Sequence, residues 1–160
     1  MLLEAVPGSS CTQGTRIRLA SSTYRVRRAT IEHIQPAGLN DPRQIYTHVV
    51  TTQTPATVVF VSGQYGADEE GNLVSAEFEP QMRQALANLQ LALAAAGAGP
   101  ENVAKVTHFI VDHDMGKLGA VRAEMDAVFG DTKPASTLLG VARLALDGMQ
   151  YEIEATAVLS

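Results

Sequence analysis

Two glutamates near the end of the chain are the side chains best suited to do chemistry. Glu152 and Glu154 lie in an otherwise apolar, strand-like segment. Residues two positions apart on a strand point to the same side and are roughly 7 Å apart along it. If that side faces solvent, both are surface charges; if it borders a cleft between subunits, one of them can orient water or accept a proton. The sequence leaves both interpretations open.

A second candidate lies where the apolar run Thr57–Ser62 ends in the tripeptide Ser62-Gly63-Gln64. Gly63 either relieves a turn or a bulge, or it lets exposed backbone N–H groups approach a ligand. The sequence does not decide between these two roles.

Other chemistries lack the residue spacing they need. His108, Asp112 and Asp114 share one strand phase, but no recognisable metal-ligand spacing accompanies them. A catalytic-serine elbow is missing because Ser62-Gly63 lacks the preceding glycine. The glycines form neither GxGxxG nor a Walker loop. We therefore predict no metal and no cofactor.

The composition predicts one soluble globular domain. The chain has 160 residues, of which 46% are hydrophobic and 18% charged. The single cysteine, Cys11, excludes an internal disulfide and fits a reducing compartment, so we expect a cytoplasmic protein. No run approaches the roughly 18 apolar residues that a membrane span needs, so we expect no membrane partner.

Charge divides the chain into two parts. In residues 1–29, five arginines against Glu4 give +4, which leaves −9 for the remainder of a chain whose net charge is −5. An acidic body repels phosphate backbones and argues against nucleic acid. Residues 1–29 are predicted to be a flexible basic extension, with a transit peptide or non-native leading residues as alternatives. The functional domain is expected to span residues 30–160.

The elements that must position these residues follow the order strands, helix, strand, helix, strands. A short possible strand and the run Tyr46–Thr52 come first, followed by Thr57–Ser62, Val103–Asp112 and two strands around a Gly-containing turn within Pro134–Leu159. Apolar residues at helical spacing predict the first helix, which ends at Gly97 and Gly99; they are Met82, Leu86, Leu89, Leu93 and Ala96. A second helix is expected from Met115 or Leu118 to Phe129.

The layers of this fold leave one face uncovered. Two helices can cover one face of a five- or six-stranded sheet if their crossovers are right-handed. Thr57–Ser62 and Val103–Asp112 nevertheless have the apolar character of strands buried on both faces. Because no third layer is available, we predict self-association through the second face.

Several collinear blocks resemble the Rid family, also called the YjgF or L-PSP family. The resemblance spans about residues 30–159. The blocks are Tyr46-Thr47-His48, VVFVSGQ (Val58–Gln64), MRQALANL (Met82–Leu89), VTHFIVD (Val106–Asp112), KPAS (Lys133–Ser136), VARL (Val141–Leu144) and EIEATAV (Glu152–Val158).

The resemblance implies an α+β, chorismate-mutase-like domain: a mixed sheet with two helices on one face and homotrimer packing on the other. It also implies ligand clefts between subunits and cofactor-free hydrolysis of enamines or imines to 2-keto acids and ammonia. Carried over by motif, the cleft residues are Tyr46, Ser62, Gly63, Ser136, Leu138 and Glu152.

Two positions depart from the family pattern. An arginine that holds the substrate carboxylate is usual after Pro-Ala, where this chain has Ser136, and a cysteine usual in some members is Leu138. A charged hydrogen bond contributes about 1.5–3 kcal/mol, so its loss is expected to cost roughly one to two decades in binding or rate. Arg143 lies an odd number of positions further on, and on a regular strand it would face the other side.

The leading hypothesis is a homotrimeric imine or enamine hydrolase with a small-molecule substrate shifted by this loss. Glu152 and Ser136 are its expected catalytic residues, and Tyr46 would add a polar contact. The alternative is a non-catalytic metabolite-binding or regulatory trimer. RNA cleavage, an activity attached to the family's name, is the least favoured because of the acidic body.

Overall fold

The computed structural model describes residues 31–34, 47, 49–52 and 56–159. They form six strands, two α-helices and a 3₁₀ turn at Pro100–Asn102. The strands are β1 (Ile31–Ile34), β2 (Val49–Thr52), β3 (Thr57–Tyr65), β4 (Val103–Val111), β5 (Ala135–Val141) and β6 (Tyr151–Leu159). The helices are α1 (Phe78–Ala95) and α2 (Met115–Phe129). The predicted basic extension at residues 1–29 lies outside the described residues.

The strands form two sheets, where a single sheet of five or six strands was expected. β1 and β2 pair with each other, and the other four follow the order β3-β6-β4-β5. β6 is antiparallel to both of its neighbours, while β4 and β5 are parallel. The last two strands of the chain therefore do not pair with each other, because β4 lies between them.

Both helices pack on one face of the four-stranded sheet, which confirms the α+β class with a mixed sheet. Side chains of both helices and of one face of β3, β4 and β6 form a single apolar cluster. Met82, Leu86, Leu89 and Leu93 are buried as their spacing predicts, but Ala96 is exposed because α1 ends one residue earlier.

Local capping chemistry sets the helix boundaries. α1 ends in a Schellman motif: Gly97 has φ +75°, and the Ala98 N–H donates to the Leu93 carbonyl at 2.9 Å. The Asp114 carboxylate accepts a hydrogen bond from the Lys117 N–H at 2.8 Å, so α2 begins at Met115 and not at Leu118.

β4 departs from strict strand alternation at its first residue. The pairing register of β4 with β6 shifts between Val103 and Lys105. Because of this irregularity, the Val103 side chain lies in the apolar core, whereas strict alternation would place it on the face of Thr107 and Phe109.

The opposite face of the four-stranded sheet is open in a single chain. The Phe60 side chain is 80% exposed and Val58 is 47% exposed. Within a single chain, β3 therefore packs on one face only. The apolar side chains on its other face are not covered by any of the described residues.

The β1–β2 pair is attached at the start of β5. The Thr47 N–H donates to the Pro134 carbonyl at 3.0 Å, and Nδ1 of His33 lies 3.0 Å from the Lys133 carbonyl oxygen. In the described ranges, neither helix is long and apolar enough to cross a bilayer.

Candidate active site

Glu152 lies on the open face of the sheet, one residue from the start of β6. In the pairing register it stands opposite Phe109 of β4 and Tyr65 of β3. Its side chain is half-buried, and Glu154, the next residue on the same face, is exposed. The two carboxylates therefore share one face, as the two-residue spacing predicts.

A bulge in β3 makes room for the Glu152 carboxylate. The register with β6 changes from Val61–Ala155 to Gln64–Ile153, so β3 has one extra residue between these rungs. A Cβ atom placed on Gly63 in this bulge would lie 1.7 Å from Oε1 of Glu152. Only glycine allows the carboxylate to occupy this position.

This geometry shows the bulge that the sequence left as one role for Gly63, and an approach to a ligand stays a prediction. Gly63 belongs to a bulge, and the group that approaches it closely is the side chain of Glu152. Its neighbour Ser62 is exposed, and the Ser62 carbonyl accepts a hydrogen bond from Nε2 of Gln64 at 3.0 Å.

The electrostatic surroundings raise the proton affinity of the Glu152 carboxylate above that of an ordinary glutamate. Partial burial raises the pKa of its carboxyl group, and the negative charge of Glu154 adds to this effect. Burial also lowers the pKa of Lys105 on the same face, and the charge of Glu154 opposes that change. A carboxyl group with a raised pKa, held at a fixed place, is suited to accept and return a proton.

A small depression of about 180 Å³ lies beside Glu154 on the open face, and Glu152 is not among its lining residues. It is lined by Phe60, Lys105, Thr107, Glu154, Ala155 and Thr156. Lys105 donates a hydrogen bond to the hydroxyl of Thr137 on β5. The lining combines an aromatic ring, one ammonium and one carboxylate, which are groups that can hold a small polar molecule.

Ser136 and Leu138 lie on β5, two strands away from Glu152 in pairing order. Ser136 is in register with Val106, and Leu138 packs against the apolar core. Both therefore face the helix side of the sheet, whereas Glu152 faces the open side. Within one chain, the structure brings Glu152, Ser62 and Gly63 together and does not bring Ser136 or Leu138 to them.

Tyr46 and Arg143 are the two remaining residues that the sequence singled out. Tyr46 lies outside the described residues. Arg143 is exposed and follows the end of β5 at Val141, so the alternation of a regular strand does not apply to it.

The His108, Asp112 and Asp114 side chains serve different purposes. His108 is buried toward the helices, with Nδ1 2.7 Å from the Tyr151 hydroxyl. Asp112 follows the end of β4 with φ +47°, and Asp114 caps α2. Among the residues that the structure describes, no group of three His, Cys, Asp or Glu side chains is placed to hold a metal ion.

Phe109, Lys105 and Thr107 are site neighbours that sequence reasoning did not select. They share the open face of β4, and the register places Phe109 beside Glu152. Their alternation phase was visible in the sequence, but the pairing of β4 with β6 is a long-range feature that alternation does not reveal.

Comparison with known proteins places these features among relatives. Residues 39–159 match the family model described as Endoribonuclease L-PSP. A RutC family protein of Pyrococcus horikoshii is 39% identical over 101 residues, which cover 62% of this chain and 77% of the relative. The 2-iminobutanoate/2-iminopropanoate deaminase of Mus musculus is 34% identical over 123 residues, covering 69% of this chain and 89% of that protein. The crystal structure of YyfB, a Rid family protein of unknown function from Yersinia pestis, has a TM-score of 0.76 and 31% identity, covering 81% of this chain and 98% of that one.

Proposed function

This chain belongs to the Rid, or L-PSP, family, and from that premise we propose that it hydrolyses an imine or enamine metabolite. The supporting observation is the Glu152 carboxylate seated over the Gly63 bulge. The mouse relative is named a 2-iminobutanoate/2-iminopropanoate deaminase. No cofactor is required for this reaction.

In the proposed mechanism, Glu152 moves one proton. Its carboxylate accepts a proton from a bound water molecule while the water oxygen adds to the carbon of the protonated imine, whose C=N electron pair moves to nitrogen and gives a neutral carbinolamine. Protonated Glu152 then returns that proton to the nitrogen, the C–N bond breaks, and the departing ammonia takes the hydroxyl proton as ammonium while the carbonyl group forms. The raised pKa makes the Glu152 carboxylate a stronger base than an ordinary glutamate, and the protonated carboxyl group is still acidic enough to return the proton to nitrogen. Tyr46, Ser62 and Ser136 are proposed to supply polar contacts to the substrate.

The proposed substrate differs from imines that carry a carboxylate. A bidentate arginine supplies charge and orientation that the Ser136 hydroxyl cannot supply. When Glu152 is ionised, it and Glu154 outnumber the single ammonium of Lys105 on the open face, which disfavours an anionic ligand. A neutral or cationic imine fits this surface better.

We also propose that the protein is a cytoplasmic homotrimer with its ligand cleft between subunits. Support comes from the exposed Phe60 and Val58 on the face opposite the helices. In such an assembly, the β5 edge of one copy can bring Ser136 and Leu138 nearer to the open face of another, as no single chain does.

Ammonia release from a panel of imines tests the enzymatic proposal. The wild type should convert neutral imines faster than 2-iminopropanoate and 2-iminobutanoate. Glu152→Gln should lower kcat by about a hundredfold or more, since it removes the proton acceptor. Glu69→Gln, which makes the same charge change in an exposed turn, is the control. Absence of turnover on every imine would refute catalysis.

Ser136→Arg tests the account of the lost anchor. It should increase kcat/KM for 2-iminopropanoate by roughly one to two decades, provided the guanidinium reaches the cleft. High activity of the wild type on carboxylate-bearing imines would contradict this account.

A non-catalytic, metabolite-binding role is the second candidate. Two observations at Ser136 favour it. Ser136 replaces the anchoring arginine of the family pattern, and it lies on the helix side of β5. A ligand that stabilises the native state raises the unfolding temperature. Thermal shifts with keto acids or amino acids, without ammonia release, would support it. RNA cleavage is disfavoured by the −9 charge that residues 30–160 carry.

A further inference from the structure

Two side-chain amides of α1 hold the ends of the two strands that carry Gly63 and Glu152. Gln81 and Asn88 are seven residues apart and therefore lie on the same face of the helix. Gln81 contacts the segment before β6, and Asn88 contacts the end of β3.

Gln81 is 0% exposed and uses both ends of its amide. Its Nε2 donates to the carbonyls of Ser75 and Gly148, and its Oε1 accepts from the Gln150 N–H, each at 2.8 Å. Gln150 is two residues before Glu152. The backbone of Gln81 also packs against Gly66, where a Cβ would lie 2.4 Å from the Gln81 Cα.

Asn88 makes the corresponding hydrogen bonds at the end of β3. Its Nδ2 donates to the carbonyls of Tyr65 and Ala67, each at 3.0 Å. Its Oδ1 accepts from Nε2 of Gln84 at 2.9 Å, which fixes the orientation of the amide. The end of β3 is thereby tied to the same helix as the start of β6.

The position of Glu152 depends on these ties because it lies at the end of a ladder. The pairing of β3 with β6 ends at Tyr65–Glu152, and that of β4 with β6 ends at Ile110–Tyr151, beyond which one more bond runs from the Val111 N–H to the Gln150 carbonyl at 3.1 Å. Strand ends open more readily than strand centres unless other groups hold them. The segment that enters β6 is irregular, and Gln81 bonds to it at two residues.

We propose that Gln81 and Asn88 are positioning residues that hold the Glu152 carboxylate over the Gly63 bulge. Their effect on catalysis rests on the function proposed above, whereas their effect on the carboxylate does not. Gln81 acts on the start of β6, and Asn88 acts on the end of β3.

The test compares Gln81→Met and Asn88→Leu with the full-length wild type. The Glu152 carboxyl group is titrated by ¹³C NMR, and imine hydrolysis is measured in parallel. The charged groups sharing its face, Glu154 and Lys105, remain unchanged in both variants. We expect the Glu152 pKa to return toward its ordinary value and kcat to fall about tenfold or more, with a smaller change in KM.

Two controls separate positioning from general stability. Val121→Ala removes core volume on α2 without removing any hydrogen bond to β3 or β6, and it lowers stability. Gln90→Met changes an amide whose side chain donates to Leu86 within α1 itself. Both controls should keep the wild-type Glu152 titration.

The outcomes are distinguishable. If Gln81→Met and Asn88→Leu lower stability as Val121→Ala does but leave the Glu152 titration unchanged, the proposal is overturned. If one variant does not fold, the other still tests its own strand end. If the wild type hydrolyses no imine, the proposed function fails, and the NMR titration still decides the positioning role.

Discussion

At the scale of single residues, the site depends on one glycine and one carboxylate. Gly63 leaves the space that Oε1 of Glu152 occupies, and Glu152 gains a raised pKa from partial burial and from Glu154. Any side chain at position 63 would therefore change both the position and the pKa of the Glu152 carboxyl group.

Gly63→Ala is expected to displace Glu152 and to abolish most of the activity. The added Cβ would lie 1.7 Å from Oε1, so the carboxylate must move to another rotamer. A misplacement of about 1 Å can cost roughly a hundredfold in rate. The measurement is kcat for imine hydrolysis.

Gly119→Ala is the matched control for that change. Gly119 lies within α2, and a Cβ there meets nothing within 4 Å. Alanine in a helix interior is more favourable than glycine by roughly 0.5–1 kcal/mol. This variant should be slightly more stable in urea unfolding, with unchanged activity. Equal activities of the two glycine variants would contradict the role of Gly63.

Glu152→Gln should change stability in a pH-dependent way. A carboxyl whose pKa is raised on folding binds more protons in the folded state, so the unfolding free energy of the wild type rises as pH falls through that range. Gln cannot ionise and avoids the unfavourable charged form. The unfolding free energy of the variant minus that of the wild type, measured by urea unfolding, should therefore be more positive at pH 7 than at pH 4. A stability difference that is the same at both pH values would show that Glu152 is not perturbed.

At the scale of elements, the two faces of β4 carry side chains with different roles. Lys105, Thr107 and Phe109 face the open side, while His108 faces the helices and bonds to Tyr151. The Tyr151 ring packs edge-on against Phe78 of α1, with ring centroids 5.8 Å apart. On the buried face, Tyr151 therefore makes two contacts: a hydrogen bond with His108 and an aromatic contact with Phe78 that joins the sheet to α1.

The His108–Tyr151 pair predicts acid sensitivity of the fold. Burial, with a smaller contribution from the charge of Lys105, lowers the pKa of His108 to about 4. The unfolded state therefore binds more protons between about pH 6.5 and pH 4. Stability should fall as the pH decreases through this window, by up to about 3 kcal/mol at 1.36 kcal/mol for each pKa unit.

His108→Gln should flatten this pH dependence, whatever its stability at pH 7, because Gln does not protonate. Urea unfolding at pH 4, 5.5 and 7 measures the slope. His113→Gln, a change at an exposed position, should keep the wild-type slope. An unchanged slope in His108→Gln would show that other groups cause the acid sensitivity.

At the scale of the whole molecule, the open sheet face predicts association. Phe60 and Val58 are exposed opposite the helices, and Leu139 lies on the same side of β5. Phe60→Asp should weaken the assembly, because burial of a phenylalanine contributes about 1.5–3 kcal/mol, or more than tenfold in an association constant. Light scattering after size exclusion measures the mass.

Leu91→Asp is the control for the assembly. Leu91 is 69% exposed on the outer side of α1, away from the open face. Its variant should keep the wild-type mass. A monomeric wild type, or a Phe60→Asp variant of unchanged mass, would contradict the self-association proposal.

The amino-acid sequence by itself determined the elements that depend on local periodicity and on short motifs. The spacing of Met82, Leu86, Leu89 and Leu93 predicted α1, and the collinear blocks predicted the family, which the comparisons confirm. The same face for Glu152 and Glu154 followed from strand alternation. These features need only neighbours along the chain.

The tertiary structure decided everything that depends on which strands meet and in which register. It placed β4 between β5 and β6, put the bulge of β3 beneath Glu152, and turned Ser136 and Leu138 to the helix side. A shift of one residue in pairing moves a side chain to the other face of a sheet. That choice is made by the packing of distant segments against one another, so local sequence patterns could not reveal it.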